Sequence, residues 1–160
     1  MIGELAPQFM LVDLYGKTVD LSQLRGQLVL IDFWASWCAP CVAGLPKLQD
    51  FEARSRGKGV TIIGVALDNA DSKNSHVEKK LRSFVATHNV AFPVVELSPE
   101  FNRDYGAVLG LVGGRVVRTD GLIAASLPSW IVIDRAGIIK AVYTSSSEEQ
   151  VLAEVADLAQ

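Results

Sequence analysis

The sequence predicts an α/β sandwich in which helices flank a central mixed β-sheet. Apolar runs of strand length alternate with longer amphipathic segments, which is the pattern of βαβ units. Two runs near the end are separated only by a tight turn, so an antiparallel pair is added to the parallel strands. Of the 160 residues, 49% are hydrophobic and 21% are charged, which suits one ordinary core. We therefore expect residues 1–160 to form a single domain.

The predicted elements follow one another in a definite order. They are a hairpin (9–14 and 18–21), a strand (28–34), a helix (39–56), a strand (60–67), a helix (76–88), a strand (92–97), a helical turn (99–105), a hairpin (130–134 and 138–143) and a helix (147–158). Apolar residues alternate around Gly16 in the first hairpin, an N-terminal addition to the main sheet. The strand 28–34 is apolar except for Asp32, as in a parallel strand covered on both faces. Apolar spacing predicts the helix that follows, with a kink at Pro46.

The second half of the chain contains one segment that fits this scheme poorly. Residues 60–67 form another buried strand, and the apolar residues of 76–88 recur at the spacing of one helix face. Between the helical turn and the last hairpin, however, residues 107–127 are rich in glycine and have no sustained period. We interpret them as a long insertion, and segments too long for an ordinary connection are often functional.

Charge and hydropathy exclude several classes of function. The net charge is −3 and no cluster of Lys or Arg occurs, so we expect no nucleic acid partner and no anionic membrane surface. No apolar run reaches the roughly 18–20 residues of a membrane span. The start MIGELAPQF lacks the basic and apolar regions of a signal peptide. These features predict a soluble domain and leave its compartment open.

Both cysteines of the chain lie in one short stretch, FWASWCAPC, at residues 33–41. A disulfide across so short a loop stabilises a fold by only roughly 2 kcal/mol, against about 3 for a 15-residue loop, so a structural staple would be inefficient. Zinc needs about four ligands, and the two histidines, His76 and His88, are distant and wrongly spaced. We expect neither a metal nor a cofactor, and a redox pair accounts for more of the residues.

The predicted helix start explains how such a pair would react. Cys38 falls just before the helix, where unpaired N–H groups and the helix dipole favour a thiolate, so it is the expected nucleophile. Cys41 lies one turn deeper, close enough to attack a mixed disulfide at Cys38, which makes it the resolving thiol. Asp32 stands in an apolar strand, where a lone carboxylate is costly, and we expect its pKa to be raised.

The segments around the cysteines resemble a known family. VLIDFWASWCAPC is similar to the active-site strand and helix start of thioredoxin-fold oxidoreductases. With GVTIIGVALD, FPVV, DYG and LPSWIVIDRAGII it resembles, in order, the TlpA/ResA/DsbE-like branch of the AhpC/TSA redoxin superfamily. The resemblance implies a thioredoxin-like fold and dithiol exchange with protein disulfides, without a cofactor. It also implies a separate redox partner that recycles the pair, a monomer, and a location in the bacterial periplasm or cell envelope, with the cytoplasm left open.

The resemblance also implies roles for residues outside the cysteine pair. Pro128 matches the cis-proline that faces the cysteines, and the backbone of Leu127 is then expected to pair with an extended substrate segment. Asp32 matches the proton acceptor behind Cys41. Trp37 is expected to form the lip of the site.

Two positions depart from the family pattern. Many relatives have Asn where this chain has Asp32, and Glu where it has Gly44. Glycine inside a helix costs about 1 kcal/mol relative to alanine, and we expect Gly44 to leave space beside the site. Trp34 and Trp130 are expected in the core, and His76 and His88 on solvated helix faces.

Two further classes of function remain open. A thiol peroxidase of the AhpC/TSA type shares the LxDxxGxxxxLSxLRG start and often has a longer segment before its final hairpin, but its P-x-x-x-T-x-x-C site is missing before Cys38 and Cys41. A noncatalytic or copper-handling binding module of the same fold is the third class. Loss of one cysteine would favour the noncatalytic module, and the presence of a histidine close to the pair would favour copper handling. Neither feature is evident.

Overall fold

The computed structural model describes residues 2–68, 75–110, 117–119, 122–124, 127–144 and 146–160. Within these ranges the chain forms nine strands, four α-helices and a short 3-10 helix at Leu21–Leu24. The elements are β1 (Met10–Val12), β2 (Thr18–Asp20), β3 (Leu28–Trp34), α1 (Ala39–Ser55), β4 (Val60–Ala66), α2 (Ser75–Thr87), β5 (Val94–Glu96), α3 (Pro99–Gly110), β6 (Val117–Thr119), β7 (Leu122–Ala124), β8 (Ser129–Ile133), β9 (Ile139–Thr144) and α4 (Glu148–Ala159).

A five-stranded mixed sheet in the order β5-β4-β3-β8-β9 forms the centre of the fold. β3 and β4 run parallel, as do β4 and β5, whereas β8 is antiparallel to both β3 and β9. All seven residues of β3 are buried, as predicted for a strand covered on both faces. The mixed sheet and its central strand confirm the predicted fold class.

Helices cover both faces of this sheet. Side chains of a strand alternate between its faces, so Phe33 and Trp34 point in opposite directions. The ring of Phe33 lies 6.0 Å from that of Phe101 in α3, and the ring of Trp34 lies 5.6 Å from that of Phe84 in α2. The helices α1 and α4 contact each other, and α4 also packs on β3. Among the described helices, none combines the length and apolar character needed to cross a bilayer.

The N-terminal segment reaches both edges of the sheet. Near its start, the N–H of Gly3 donates to the carbonyl of Ile139 at 2.8 Å, beside the edge strand β9. Eleven residues later, after β1, the N–H of Leu14 donates to the carbonyl of Val94 in the opposite edge strand β5 at 3.0 Å. β1 and β2 pair antiparallel as the predicted hairpin, in a small sheet of their own. Both edges of the main sheet are thus partly covered, which limits pairing with other chains.

The third helix differs from the prediction. The predicted helical turn at 99–105 is α3, which begins at Pro99 and continues to Gly110. Proline suits the first helical position because its missing N–H has no intrahelical acceptor there. The kink predicted at Pro46 does not interrupt α1, which runs on to Ser55.

The predicted insertion, 107–127, lies largely outside the described residues. Its first part belongs to α3, and two described fragments of it, β6 and β7, form an antiparallel pair. Neither the extension of α3 nor the β6–β7 pair was predicted, because this part of the sequence has no sustained period.

Candidate active site

The two cysteines stand where the central strand passes into the first helix. β3 ends at Trp34, and Cys38 is the N-cap of α1, with the extended backbone that a cap residue adopts. Pro40 lies in the first turn, where a missing N–H costs nothing. Cys38 therefore lies between the end of the strand and the first turn of the helix, as predicted.

Cys38 and Cys41 are joined by a disulfide, with their Cα atoms 5.3 Å apart. The N–H of Cys41 donates to Sγ of Cys38 at 3.3 Å, so a free N–H of the helix start is directed at this sulfur. Both residues are 6% exposed, which means that exposure does not distinguish them. Their positions at the cap and one turn inside the helix do distinguish them.

An aspartate outside the cysteine stretch holds the loop before Cys38. The N–H of Ser36 donates to Oδ1 of Asp68 at 3.0 Å, and its hydroxyl donates to Oδ2. Asp68 follows β4, which runs parallel to β3, so both strand ends lie at the same edge of the sheet. This contact was not predicted from the sequence, although two polar residues after neighbouring parallel strands were a possible signal.

Asp32 is a buried carboxyl group in the middle of the sheet, and only 4% of it is exposed. Its neighbours across the strands are Gly64 in β4 and Trp130 in β8. Burial, followed by the charge of Glu148, raises the pKa of Asp32 to about 8, and the indole of Trp130 opposes this shift more weakly. The raised pKa is as predicted.

The space expected beside Gly44 is filled by another acid. A Cβ built on Gly44 would lie 2.6 Å from Cδ and 2.9 Å from Oε1 of Glu148, the first residue of α4. Burial raises the pKa of Glu148 to about 7, against a smaller opposite effect of Lys47. The expectation of open space was therefore wrong, because a helix distant in sequence packs there. Gly44 itself was the only sign of this close approach in the sequence.

The predicted substrate-contacting residues lie near the same end of the sheet. The Leu127–Pro128 peptide bond is cis, as the resemblance predicts. Pro128 directly precedes β8. Because Ser129, the first residue of β8, pairs with Phe33, Pro128 lies beside the end of β3. Leu127 is half-buried, and Trp37 is 69% exposed beside the cysteines.

The residues to which the sequence analysis assigned no chemistry lie as expected. Trp34 and Trp130 are each 1% exposed in the core. His88 is exposed and stacks on Phe84, with ring centroids 3.8 Å apart. Across the described ranges, no three His, Cys, Asp or Glu side chains are grouped to hold a metal ion.

A disulfide at a helix N-terminus, following a strand that contains a carboxyl group with a raised pKa, is suited to exchange with other thiols and disulfides. The helix end stabilises a thiolate, and the buried acid is able to accept or return a proton. The fold and the site define the class: thioredoxin-fold thiol-disulfide oxidoreductases.

Comparisons with known proteins agree with this class. The chain belongs to the AhpC/TSA family, whose model matches residues 2–142. It is 29% identical over 150 residues to thiol-disulfide oxidoreductase ResA of Bacillus thuringiensis, covering 93% of this chain and 73% of that protein. It is 30% identical over 156 residues to ResA of Halalkalibacterium halodurans, covering 98% of this chain and 76% of that protein. A thiol:disulfide interchange protein of the thioredoxin family from Chlorobium tepidum shares the fold, with a TM-score of 0.77 at 23% identity, covering 99% of this chain and 97% of that one.

Proposed function

We propose that the protein exchanges disulfides with other proteins through a mixed disulfide at Cys38. The thiolate of Cys38 attacks a substrate disulfide, forms one new S–S bond, and releases the first substrate sulfur as a thiolate. The sulfur of Cys41 then attacks Sγ of Cys38, loses its proton, and releases the second substrate sulfur with the electron pair of the broken bond. The substrate is reduced by two electrons and the enzyme becomes the disulfide.

The observation that carries this proposal is the hydrogen bond from the N–H of Cys41 to Sγ of Cys38 at the helix cap. The same N–H would stabilise a thiolate on Cys38 in the reduced protein, and a low thiol pKa makes a cysteine both a ready nucleophile and a good leaving group. Cys41 has no such position, so the two sulfurs have different roles.

Asp32 is proposed as the proton acceptor for Cys41. A general base acts best when its pKa lies near the working pH, and the pKa of Asp32, at about 8, meets this condition. An exposed aspartate, with a pKa of about 3.9, would be too weak a base to take a proton from a thiol.

Trp37, Leu127 and Pro128 are proposed to bind the substrate. Trp37 offers an exposed indole next to Cys38, and aromatic side chains supply much of the contact area in protein interfaces. Leu127 and Pro128 directly precede β8, and the backbone of Leu127 is proposed to pair with an extended substrate segment. A substrate held between them would present its disulfide to Cys38.

The family implies protein thiol substrates and redox partners, and we propose a more specific setting. A separate partner recycles the Cys38–Cys41 pair, the protein acts as a monomer, and its location is the bacterial periplasm or cell envelope. Light scattering combined with size-exclusion chromatography tests the monomer, and a dimer would contradict it. Fractionation of the source cells tests the location, and recovery from the cytoplasm would contradict it.

The first experiment is the equilibrium reduction potential of the pair, read from tryptophan fluorescence in thiol buffers. A reversible two-electron transition is expected, near about −270 mV for a reductant or about −120 mV for an oxidant. Absence of any such transition would overturn the proposed function in favour of a binding module. Peroxide consumption without a disulfide substrate would instead indicate the peroxidase.

The roles of the two sulfurs are tested with matched serine variants. Cys41→Ser should form a mixed disulfide with the substrate and keep it, because no thiol remains to resolve it, whereas Cys38→Ser should form none. Mass spectrometry of the reaction mixture distinguishes the two variants. The reverse pattern would exchange the roles of the sulfurs.

A further inference from the structure

A second carboxyl group approaches the site from the far end of the chain. Glu148 begins α4, and α4 packs against both α1 and β3. Its carboxyl group occupies the place that any side chain at position 44 would take. Glycine at this position therefore admits an acid from α4 to the surface of α1.

This place is one helical turn beyond the resolving cysteine. Cys38, Cys41 and Gly44 are three residues apart, so they follow one another along one side of α1. Asp32 lies in β3, which leads directly to this helix start and against which α4 packs. The charge of Glu148 contributes to the raised pKa of Asp32, so the two acids are electrostatically coupled, and Glu148 lies against the helix that carries both cysteines.

The two acids differ in their access to solvent. Asp32 is 4% exposed, whereas Glu148 is half-buried at the helix start. The groups that act on them are Lys47 of α1, which lowers the pKa of Glu148, and Trp130 of β8, which lowers that of Asp32. Lys47 is itself paired with the exposed Glu149. Glu148 is therefore the more exposed of two electrostatically coupled acids.

We propose that Glu148 passes protons between Asp32 and solvent and so serves the cysteines through Asp32. The inference rests on the proposed function. When Cys41 resolves the mixed disulfide, its thiol proton goes to the Asp32 carboxylate, directly or through a water molecule. Asp32 then gives that proton to the Glu148 carboxylate, which releases it to water, and both acids return to their starting state. No electron moves in this transfer.

The test compares Glu148→Gln with Glu149→Gln, a neighbour on the same helix that loses the same charge on an exposed side chain. We expect Glu148→Gln to lower the pKa of Asp32, because a negative charge that acts on it disappears. Resolution should slow about tenfold, less than the roughly 10²–10⁴-fold effect of a general base itself, because Glu148 acts through Asp32. Glu149→Gln should change neither quantity appreciably. Carbon-13 NMR of the disulfide form reports the pKa of Asp32, since the cysteines do not titrate there.

Two variants at position 44 separate this role from a structural one. Gly44→Ala keeps Glu148 but places a Cβ where its carboxyl group lies, and it should reproduce the lower pKa of Asp32 while favouring the helix. The double variant Gly44→Glu, Glu148→Ala returns a carboxyl group from α1, and it should restore the raised pKa and the rate. A purely structural role for Glu148 would not respond to a carboxyl group from another helix.

The outcomes distinguish this inference from the proposed function. If the wild-type protein undergoes reversible exchange but Glu148→Gln behaves like Glu149→Gln in both the pKa of Asp32 and the pH profile of the rate, the inference is wrong and the function stands. If the wild-type protein shows no exchange at all, the proposed function fails first. A lower pKa of Asp32 with an unchanged rate would also overturn the proton transfer.

Discussion

Asp32 combines almost complete burial with an ionisable group, and its protonation is therefore tied to the stability of the fold. Its pKa is about 8 in the folded protein, against about 3.9 in an unfolded chain. Between these values the folded state binds a proton that the unfolded state has lost. The free energy of unfolding must therefore fall as the pH rises through this window, and it is highest at its acidic end.

The variant Asp32→Asn should remove this dependence on pH. In the wild-type disulfide form, titration of Asp32 lowers the free energy of unfolding by on the order of 5 kcal/mol from pH 4 to above pH 8. Urea unfolding at several pH values measures the slope, which should be shallower in the variant. The exposed Asp50→Asn is the control and should keep the wild-type slope. Equal slopes for Asp32→Asn and the wild type would contradict the assignment.

The loop between β3 and α1 is the element that fixes the position of Cys38. Its Ser36 is held by Asp68 through both the backbone N–H and the hydroxyl, and Trp37 follows directly. The N–H of Cys38 then donates to the carbonyl of Ala35 at 3.1 Å. A turn held in this way keeps the first sulfur at the helix cap of the disulfide form.

Asp68→Ala should loosen this loop. The half-buried N–H of Ser36 would lose its acceptor, which typically costs about 1–3 kcal/mol, and thiol exchange at Cys38 should slow. Ser36→Ala is the matched comparison, because it removes only the hydroxyl contact and should have a smaller effect. Denaturant unfolding and the rate of reaction with oxidised glutathione measure both. A larger effect of Ser36→Ala than of Asp68→Ala would argue against the backbone contact.

At the level of elements, local pattern predicted most of the fold but not the contacts between distant helices. β3 was predictable because burial on both faces leaves a continuous apolar run. The start of α1 was predictable because apolar residues recur at helical spacing after Cys38. The residues facing Gly44 were not predictable, because nothing near position 44 indicates that α4 returns there. The acids at the start of α4 are equally consistent with a favourable helix N-terminus, and Glu149 lies there on an exposed surface, paired with Lys47.

The whole molecule is held together from edge to edge by its N-terminal segment. This segment contacts β9 through Gly3 and β5 through Leu14. Between these points, the hydroxyl of Tyr105 in α3 donates to the carbonyl of Pro7 at 2.6 Å. Strands at the two margins of the sheet are thus linked through a segment that precedes both of them in sequence.

Removal of residues 1–7 should destabilise the entire domain and not merely its surface. The truncation deletes the pairing beside β9 and leaves that edge open to other chains, so a lower Tm and faster aggregation on heating are expected. Tyr105→Phe removes a single contact with this segment and should cost only about 1 kcal/mol. Calorimetry and light scattering measure both variants. An unchanged Tm after truncation would show that the segment contributes nothing to the core.

The sheet order has a consequence for the timing of biosynthesis. β3, which leads to the cysteines, lies between β4 and β8 in the sheet, and β8 follows far behind β3 in the chain. A chain leaving the ribosome therefore displays both thiols well before Trp130 and Glu148 exist. During that interval the neighbours that bury Asp32 in the complete fold are absent, so its carboxyl group is expected to ionise as in an unfolded chain. The complete site, with its buried acid, arises only after the start of α4 has been synthesised.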